Sequence, residues 1–351
     1  MKKNTLGIFG LFVVIFLATA ILNPDFVSGY NLQNITKWSS LFAVISIGVA
    51  FVIITGGIDL SIGSVVGLVA VVMSYMLTIE GFSPSLTVFS MLCLSAFIGL
   101  VHGLLITKAR IQPFVVTLCG LLIYRSLARW LTDNQSLGPI PRGDVFRCPP
   151  VSRLDDQAGF VNKEFIEGLA AIFKGKIPIT ETFNLPTPFI FLAVIGVMAA
   201  IFLNRTIWGR YLLALGNNED AARYSGINTD AVKVIAYIIC SLLAGIGGML
   251  FAFELNSVQP AQTGEFFELY AIAAAVLGGC SLRGGEGGIL GVIIAASVIR
   301  LIYNSINMLG ISSHLEFAIL GLVILCGVIA DESIKSVMAK RRTAQVNAAK
   351  K

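Results

Sequence analysis

Ten apolar runs separated by short polar breaks organise the chain: Leu6–Leu22, Ser39–Ile54, Val65–Ile79, Leu86–Thr107, Phe114–Leu131, Thr187–Leu203, Val234–Phe253, Leu269–Leu277, Ile289–Ile306 and Leu315–Ala330. Most approach the ~20 apolar residues that a helix needs to cross ~30 Å of hydrocarbon, and the eighth is short for a span. The pattern predicts an all-α polytopic membrane protein, residues 1–351 as a single transmembrane domain of about ten helices. Within it, 132–186 is a long loop with several prolines and a surface helix at Lys163–Phe173, 204–233 is a shorter polar loop, and 332–351 is a basic tail. Asn23–Lys37 reads as a polar connector. The first run follows Lys2 and Lys3 and contains Ala18-Thr19-Ala20, which resembles a signal-peptidase site. A cleaved signal peptide therefore competes with a first span, and the 17-residue length of the run favours the span.

Composition agrees. Hydrophobic residues make up 56% of the chain and charged residues 13%, against about a quarter charged in ordinary globular domains. The formal charge of +5 collects at span ends and in the C-terminal tail, so topology explains it without nucleic acid. With the N-terminus cytoplasmic, the inner side of the short loops and tails holds fifteen Lys and Arg residues and the short outer loops hold only Lys37. That asymmetry requires an even number of spans and puts both termini, and residues 204–233, on the cytoplasmic side. The 132–186 loop falls outside.

Trp208–Gly226 is the polar, glycine-punctuated stretch where a soluble partner can reach the protein. Asn218 is placed to cap a helix of about seven residues, Glu219 and Asp220 to fill its first turn, and Gly226 to stop it in a left-handed conformation. Helices this short are marginal alone, so the segment is either a docking surface leaning on a partner or an ordinary connecting loop.

Few residues carry candidate chemistry. Asp59 lies beside a glycine break, Gly56-Gly57-Ile58-Asp59-Leu60-Ser61-Ile62-Gly63, between two apolar runs. An acid at mid-membrane costs ~2.5–3.5 kcal/mol on insertion scales, which marks Gly56, Gly57, Asp59 and Ser61 as a pathway or gate near its inner end; the competing reading is a tight turn with Asp59 in water. Gly278–Gly285 repeats the spacing of Gly56–Gly63, a weak sign of repetition in a chain with 35 glycines. Arg300, Asn304 and Asn307 recur at i, i+4 and i+7 on one helix face, which either lines a polyol-accepting pathway or packs on neighbours with Arg300 snorkelling or paired to Glu316. Arg125 and Arg129 are anchors or loop partners, and His102 is a satisfied intramembrane polar residue. There is no GxxxxGK[ST] phosphate loop, no HExxH, and no Cys pair or Cys/His cluster spaced for zinc, so no catalytic residue, bound cofactor or metal is expected in this chain.

Four stretches, in order, carry a family resemblance: TGGIDLSIGS at Thr55–Ser64, QPFVVTLCGLLIYRSLA at Gln112–Ala128, GRYLLALGNNEDAARYSGI at Gly209–Ile227 and AAAVLGGCSLRGGEGGILG at Ala273–Gly291. Across roughly Asn34–Asp331, apart from part of the loop before Pro186, the chain resembles the permease subunits of bacterial ATP-driven (ABC-type) sugar importers of the ribose type. The resemblance implies a multi-pass protein of the bacterial plasma (inner) membrane with its first helix retained. It implies a pore formed with a second copy or a related permease, and a soluble extracytoplasmic sugar-binding protein. It further implies an ABC ATPase subunit, carrying ATP and Mg, that docks on the 204–233 loop. Gly209, Asn218, Glu219, Ala222 and Gly226 would then transmit ATPase motion to the flanking helices. The 132–186 loop is longer than the family's. Other readings stand beside this one: an ion-coupled secondary transporter, the same importer type carrying a branched-chain amino acid or other small solute, and, third, a membrane enzyme.

Overall fold

The structure, a computed structural model, describes residues 3–138, 163–179, 183–255, 257–327 and 329. Cys148, residues 139–162 and 180–182 of the 132–186 loop, and the 332–351 tail lie outside the described residues.

Each of the ten apolar runs contributes a helix: α1 Lys3–Leu22, α2 Gly29–Ile54, α3 Ile62–Thr78, α4 Pro84–Thr107, α5 Pro113–Leu131, α7 Thr187–Arg205, α10 Thr229–Glu254, α11 Phe267–Leu277, α12 Ile289–Met308 and α13 Glu316–Gly327. Among the described residues seven helices are long and apolar enough to cross a membrane, while α3, α11 and α13 are shorter apolar helices. Three additional helices, α6 Lys163–Lys174, α8 Ile207–Asn217 and α9 Glu219–Tyr224, lie at the ends of the bundle. The only strands among the described residues are β1 Lys176–Pro178 and β2 Asn184–Pro186, an antiparallel pair. Proline in the first turn starts α4, α5 and α7, where its missing N–H has no helical partner to lose.

The core forms around α2. The most apolar 18-residue stretch of α2 is 89% buried and that of α1 only 6%, so α2 is an inner post and α1 an outer one, although both are apolar. α10 packs on α2, α3 and α4, and α12 on α1, α2 and α11. α4 and α10 approach at glycine: a Cβ on Gly99 would meet the Tyr237 carbonyl at 2.5 Å, and one on Gly103 the Val234 Cα at 2.7 Å. In lipid, where apolar burial supplies little drive between helices, this close approach is a main source of helix association.

Two expectations are corrected. Residues 23–37 are not a connector: Pro24–Val27 form a 3-10 turn and α2 begins at Gly29, capped by Ser28, whose Oγ accepts from Asn31 N. The polar residues Asn31 and Asn34 look like loop in a hydropathy reading because they face an internal cavity instead of lipid. Nor is α6 simply a surface helix. Its Phe173 is buried between Phe191 and Phe253, and Lys174 reaches Glu254 at the end of α10. Glu254 is also paired with Lys37 of α2 at 3.0 Å, so one buried carboxylate ties α2, α6 and α10 together. Leu137 completes this end of the bundle by exchanging two backbone bonds with Val258.

Candidate translocation pathway and coupling surface

At the α6 end, α2, the 257–266 segment, α11, α12 and α13 line an open cavity of about 1000 Å³. Arg300, Asn304 and Asn307 all line it, together with Asn31, Asn34, Gln259, Gln262 and a set of aromatic rings. Asn31 and Asn304 bond to each other across α2 and α12, at 3.1 and 2.8 Å in the two directions. Phe42 is the hub of the aromatic wall, with its ring 4.6 Å from Phe267 and 5.6 Å from Phe251. Arg300 does not pair with Glu316; Glu316 instead accepts from Tyr270 Oη at 3.5 Å. Phe266, immediately before α11, sits at φ +61°, a conformation that costs a non-glycine residue ~1–2 kcal/mol and orients its ring toward Phe317.

The cavity floor is the junction of two interrupted helices. By rise per residue α3 spans ~26 Å and α11 ~17 Å, both below the ~30 Å of a bilayer core. Their N-terminal ends abut: a Cβ on Gly63 would collide with the Gly264 carbonyl and Glu268 Oε2, and one on Gly264 with the Gly63 carbonyl. Arg125 holds the connecting segment by donating to the carbonyls of Thr263 (2.5 Å) and Pro260 (3.4 Å), so it is a loop partner. Arg129 donates to Asn134 Oδ1. Asp59 lies beyond the junction, fully buried and not in water. Its Oδ1 accepts from Ser61 N (2.9 Å) and Ser61 Oγ (2.6 Å), whereas Oδ2 has no hydrogen-bond partner. Two acids, Asp59 and Glu268, thus sit where two helix dipoles point their positive ends, a favourable place for carboxylates deprived of water. His102 Nε2 meets Tyr124 Oη at 2.9 Å while Nδ1 is unpartnered, so it is half satisfied.

At the opposite end, α8 and α9 lie across the bundle. Thr206 caps α8, and Asn218 caps α9 by accepting from Ala221 N at 2.9 Å. Gly226 follows α9 at φ +82°, the left-handed stop expected of it. Glu219 binds Lys233 at 2.7 Å and Arg223 at 3.2 Å, and Lys108 binds Asp230 at 3.0 Å, which fastens α9 and the start of α10 to each other and to the end of α4. The end of α8 rests on glycine: a Cβ on Gly216 would fall on the Ile54 carbonyl and Gly285 N, where Gly285 N donates to Ile54 O at 2.9 Å. The α8–α9 unit therefore bears directly on the last residue of α2 and on the 279–287 turn that leads into α12. Both of those helices line the cavity at the far end.

Residues 31–328 match the family model described as branched-chain amino acid transport system, permease component. The chain belongs to this permease family. Among its relatives, the ribose import permease protein of Escherichia coli K12 is 35% identical over 91% of each chain. That of Bacillus subtilis 168 is 36% identical over 92% of this chain and 90% of its own. The L-arabinose transport system permease protein of Escherichia coli K12 is 29% identical over 93% and 89%. No solved structure matches.

In this permease the two groups of sequence-predicted pathway residues are separate. Arg300, Asn304 and Asn307 line the large cavity; Gly57, Asp59 and Ser61 are buried on the other side of the Gly63–Gly264 junction, with Gly57 beneath Tyr237 Oη, whereas Gly56 is exposed. Gly56 and Gly278 begin the two similar glycine stretches with different backbones, φ +80° and −65°, so the spacing match is not a structural repeat at that position. Of the predicted coupling residues, Gly209 and Ala222 are buried, Glu219 is engaged internally, and Asn218 and Gly226 are exposed. Sequence reasoning missed α8, the Gly216 seat, and the outward face of α9, where Asp220, Ala221 and Tyr224 are exposed. A signal was available in α8: Leu212 and Leu215 sit at helical spacing between Thr206 and Asn218, each a suitable cap.

Proposed function

We propose that the chain is the transmembrane permease subunit of an ATP-driven, binding-protein-dependent importer of a monosaccharide in the bacterial inner membrane. The observation that carries this reading is the match to ribose import permeases over nine-tenths of both chains. About ten helices cross the membrane, the shorter α3 and α11 among them, both termini are cytoplasmic, and the cavity, about 1000 Å³ in volume, faces outward. The α8–α9 end is then cytoplasmic, where an ABC ATPase carrying ATP and Mg docks. An extracytoplasmic binding protein delivers the sugar, and a second copy or a related permease completes the pore. The chain itself does no covalent chemistry. Force applied to α9 passes through Gly216 to α2 and through Gly284–Gly285 to α12, whose far ends line the cavity.

The docking test follows from burial. Glu219 is an internal ion-pair partner, so replacing it would disturb α9 itself; Asp220 and Tyr224 project outward. An Asp220→Arg, Tyr224→Ala variant is expected to insert and melt like the wild type yet lose ATPase association and ATP-driven sugar uptake. Unchanged association would overturn the placement of the docking face. A second reading, ion-coupled secondary transport, is favoured by one observation, the unpartnered oxygens of Asp59 and Glu268 at the helix junction. Uptake that follows an imposed ion gradient without ATPase would select it.

A further inference from the structure

The cavity contains a cation that the fold leaves unused. Arg300 is enclosed by three rings, its guanidinium carbon 5.4 Å from the Trp38 centroid, 4.6 Å from Phe42 and 4.4 Å from Tyr303. Its Nε is buried without an acceptor, and among the described residues Arg300 has no hydrogen bond or ion pair. A guanidinium has five N–H donors, and stacking on rings satisfies none of them. Leaving a charged, hydrogen-bonding group unmatched is unfavourable unless something else supplies the acceptors. Glu316, which lines the same cavity, accepts from Tyr270 and makes no hydrogen bond to Arg300.

The surroundings define the missing ligand. The charged residues lining the cavity, among those described, are one cation, Arg300, and two carboxylates, Glu265 and Glu316. Six side-chain amides, from Asn31, Asn34, Asn304, Asn307, Gln259 and Gln262, add neutral donors and acceptors. Aromatic faces take the C–H face of a sugar ring, amides and carboxylates take hydroxyls, and the planar guanidinium fork suits two neighbouring oxygens at once. Phosphate on the sugar would find one cation opposed by two acids. A branched-chain amino acid would find partners for its two charges but would leave most of the amides unmatched.

We propose that Arg300 is the specificity-determining residue of this permease, donating its fork to two adjacent oxygens of an uncharged polyhydroxylated solute while Glu316 accepts from another hydroxyl, and that the cavity rejects anionic sugars. The proposal deepens the sugar-importer reading and rests on it.

Trp38, one of three tryptophans in the chain, lies within the site and reports on it. In full-length chain carrying Trp130→Phe and Trp208→Phe in lipid nanodiscs, Trp38 fluorescence is titrated with D-ribose, ribose 5-phosphate and leucine. The expected result is a saturable change with ribose that is absent with the phosphate and with leucine. Arg300→Lys, which keeps the charge but loses the fork, is expected to weaken ribose at least about tenfold, since hydrogen bonds to charged groups are among the strongest. Arg300→Met is expected to abolish the response while the protein still inserts and stays monodisperse. Equal ribose affinity in wild type, Arg300→Lys and Arg300→Met would overturn the role of Arg300 and leave the sugar reading standing. A saturable response to leucine with none to ribose would overturn the sugar reading itself, and binding of ribose 5-phosphate as tight as ribose would overturn the charge selection.

Discussion

Gly216→Ala tests whether α8 bears on α2 as described. Gly216 is helical, so alanine alone would favour the helix by ~1 kcal/mol. Against that stands the seat: the new methyl would coincide with the Ile54 carbonyl and Gly285 N and lie 3.0 Å from the Ile54 carbonyl carbon. Overpacking of this kind costs ~1–3 kcal/mol. Breaking the Gly285 N to Ile54 O bond, 2.9 Å long and pressed between two turns, adds ~1–3 kcal/mol. Steric cost wins, and the net change is a destabilisation of about 1–5 kcal/mol. The comparison protein is Gly10→Ala, because Gly10 is also helical but has nothing within 4 Å of its added Cβ. Thermal denaturation in detergent followed by tryptophan fluorescence should place Gly216→Ala clearly below wild type and Gly10→Ala at or slightly above it. In proteoliposomes with the ATPase, Gly216→Ala should transport less sugar per ATP hydrolysed. If Gly216→Ala melts and couples like Gly10→Ala, the contact between α8 and α2 carries no force and the coupling route is wrong.

Other substitutions probe separate parts. Asn218→Ala removes the α9 cap at a cost of about 1 kcal/mol and should weaken ATPase association roughly fivefold in a binding titration, whereas Asn218→Asp should not. Glu254→Gln takes the charge from between Lys37 and Lys174; removing one member of a buried ionic group costs ~3–5 kcal/mol, so the variant should melt lower and be cut faster by trypsin at Lys174. Asp59→Ala leaves the N–H and hydroxyl of Ser61 without their acceptor, a loss of ~1–3 kcal/mol visible as a lower melting temperature, while Asp59→Asn keeps an acceptor oxygen and should melt near wild type.

The sequence made the apolar helices legible because lipid imposes one rule, a long apolar run, and each run folds as a helix, although α3, α11 and α13 are shorter than the other seven. Where a helix met something other than lipid the rule failed. The first turns of α2 carry Asn31 and Asn34 toward the cavity, so hydropathy places the start of that helix ten residues late, at Ser39 instead of Gly29. The 257–266 segment carries no apolar run at all, yet it forms the floor of the cavity because Gly264 meets Gly63 and Arg125 grips its carbonyls. Those partners are distant in sequence, and no local pattern announces them. Arg300, Asn304 and Asn307 were readable as one face because helical spacing is local; the Trp38 and Phe42 rings that α2 brings over Arg300 were not. Around Asn218 the cap, the acidic first turn and the glycine stop were all local features, and α9 follows them.

The most direct measurement is uptake of radiolabelled ribose into proteoliposomes containing this chain, its partner ATPase and the binding protein, with ATP present or absent and with an ionophore present throughout. The expected result is uptake that requires ATP and survives the ionophore. Uptake that proceeds without ATP and collapses with the ionophore would contradict this and make the acids at the helix junction, Asp59 and Glu268, the centre of an ion-coupled mechanism.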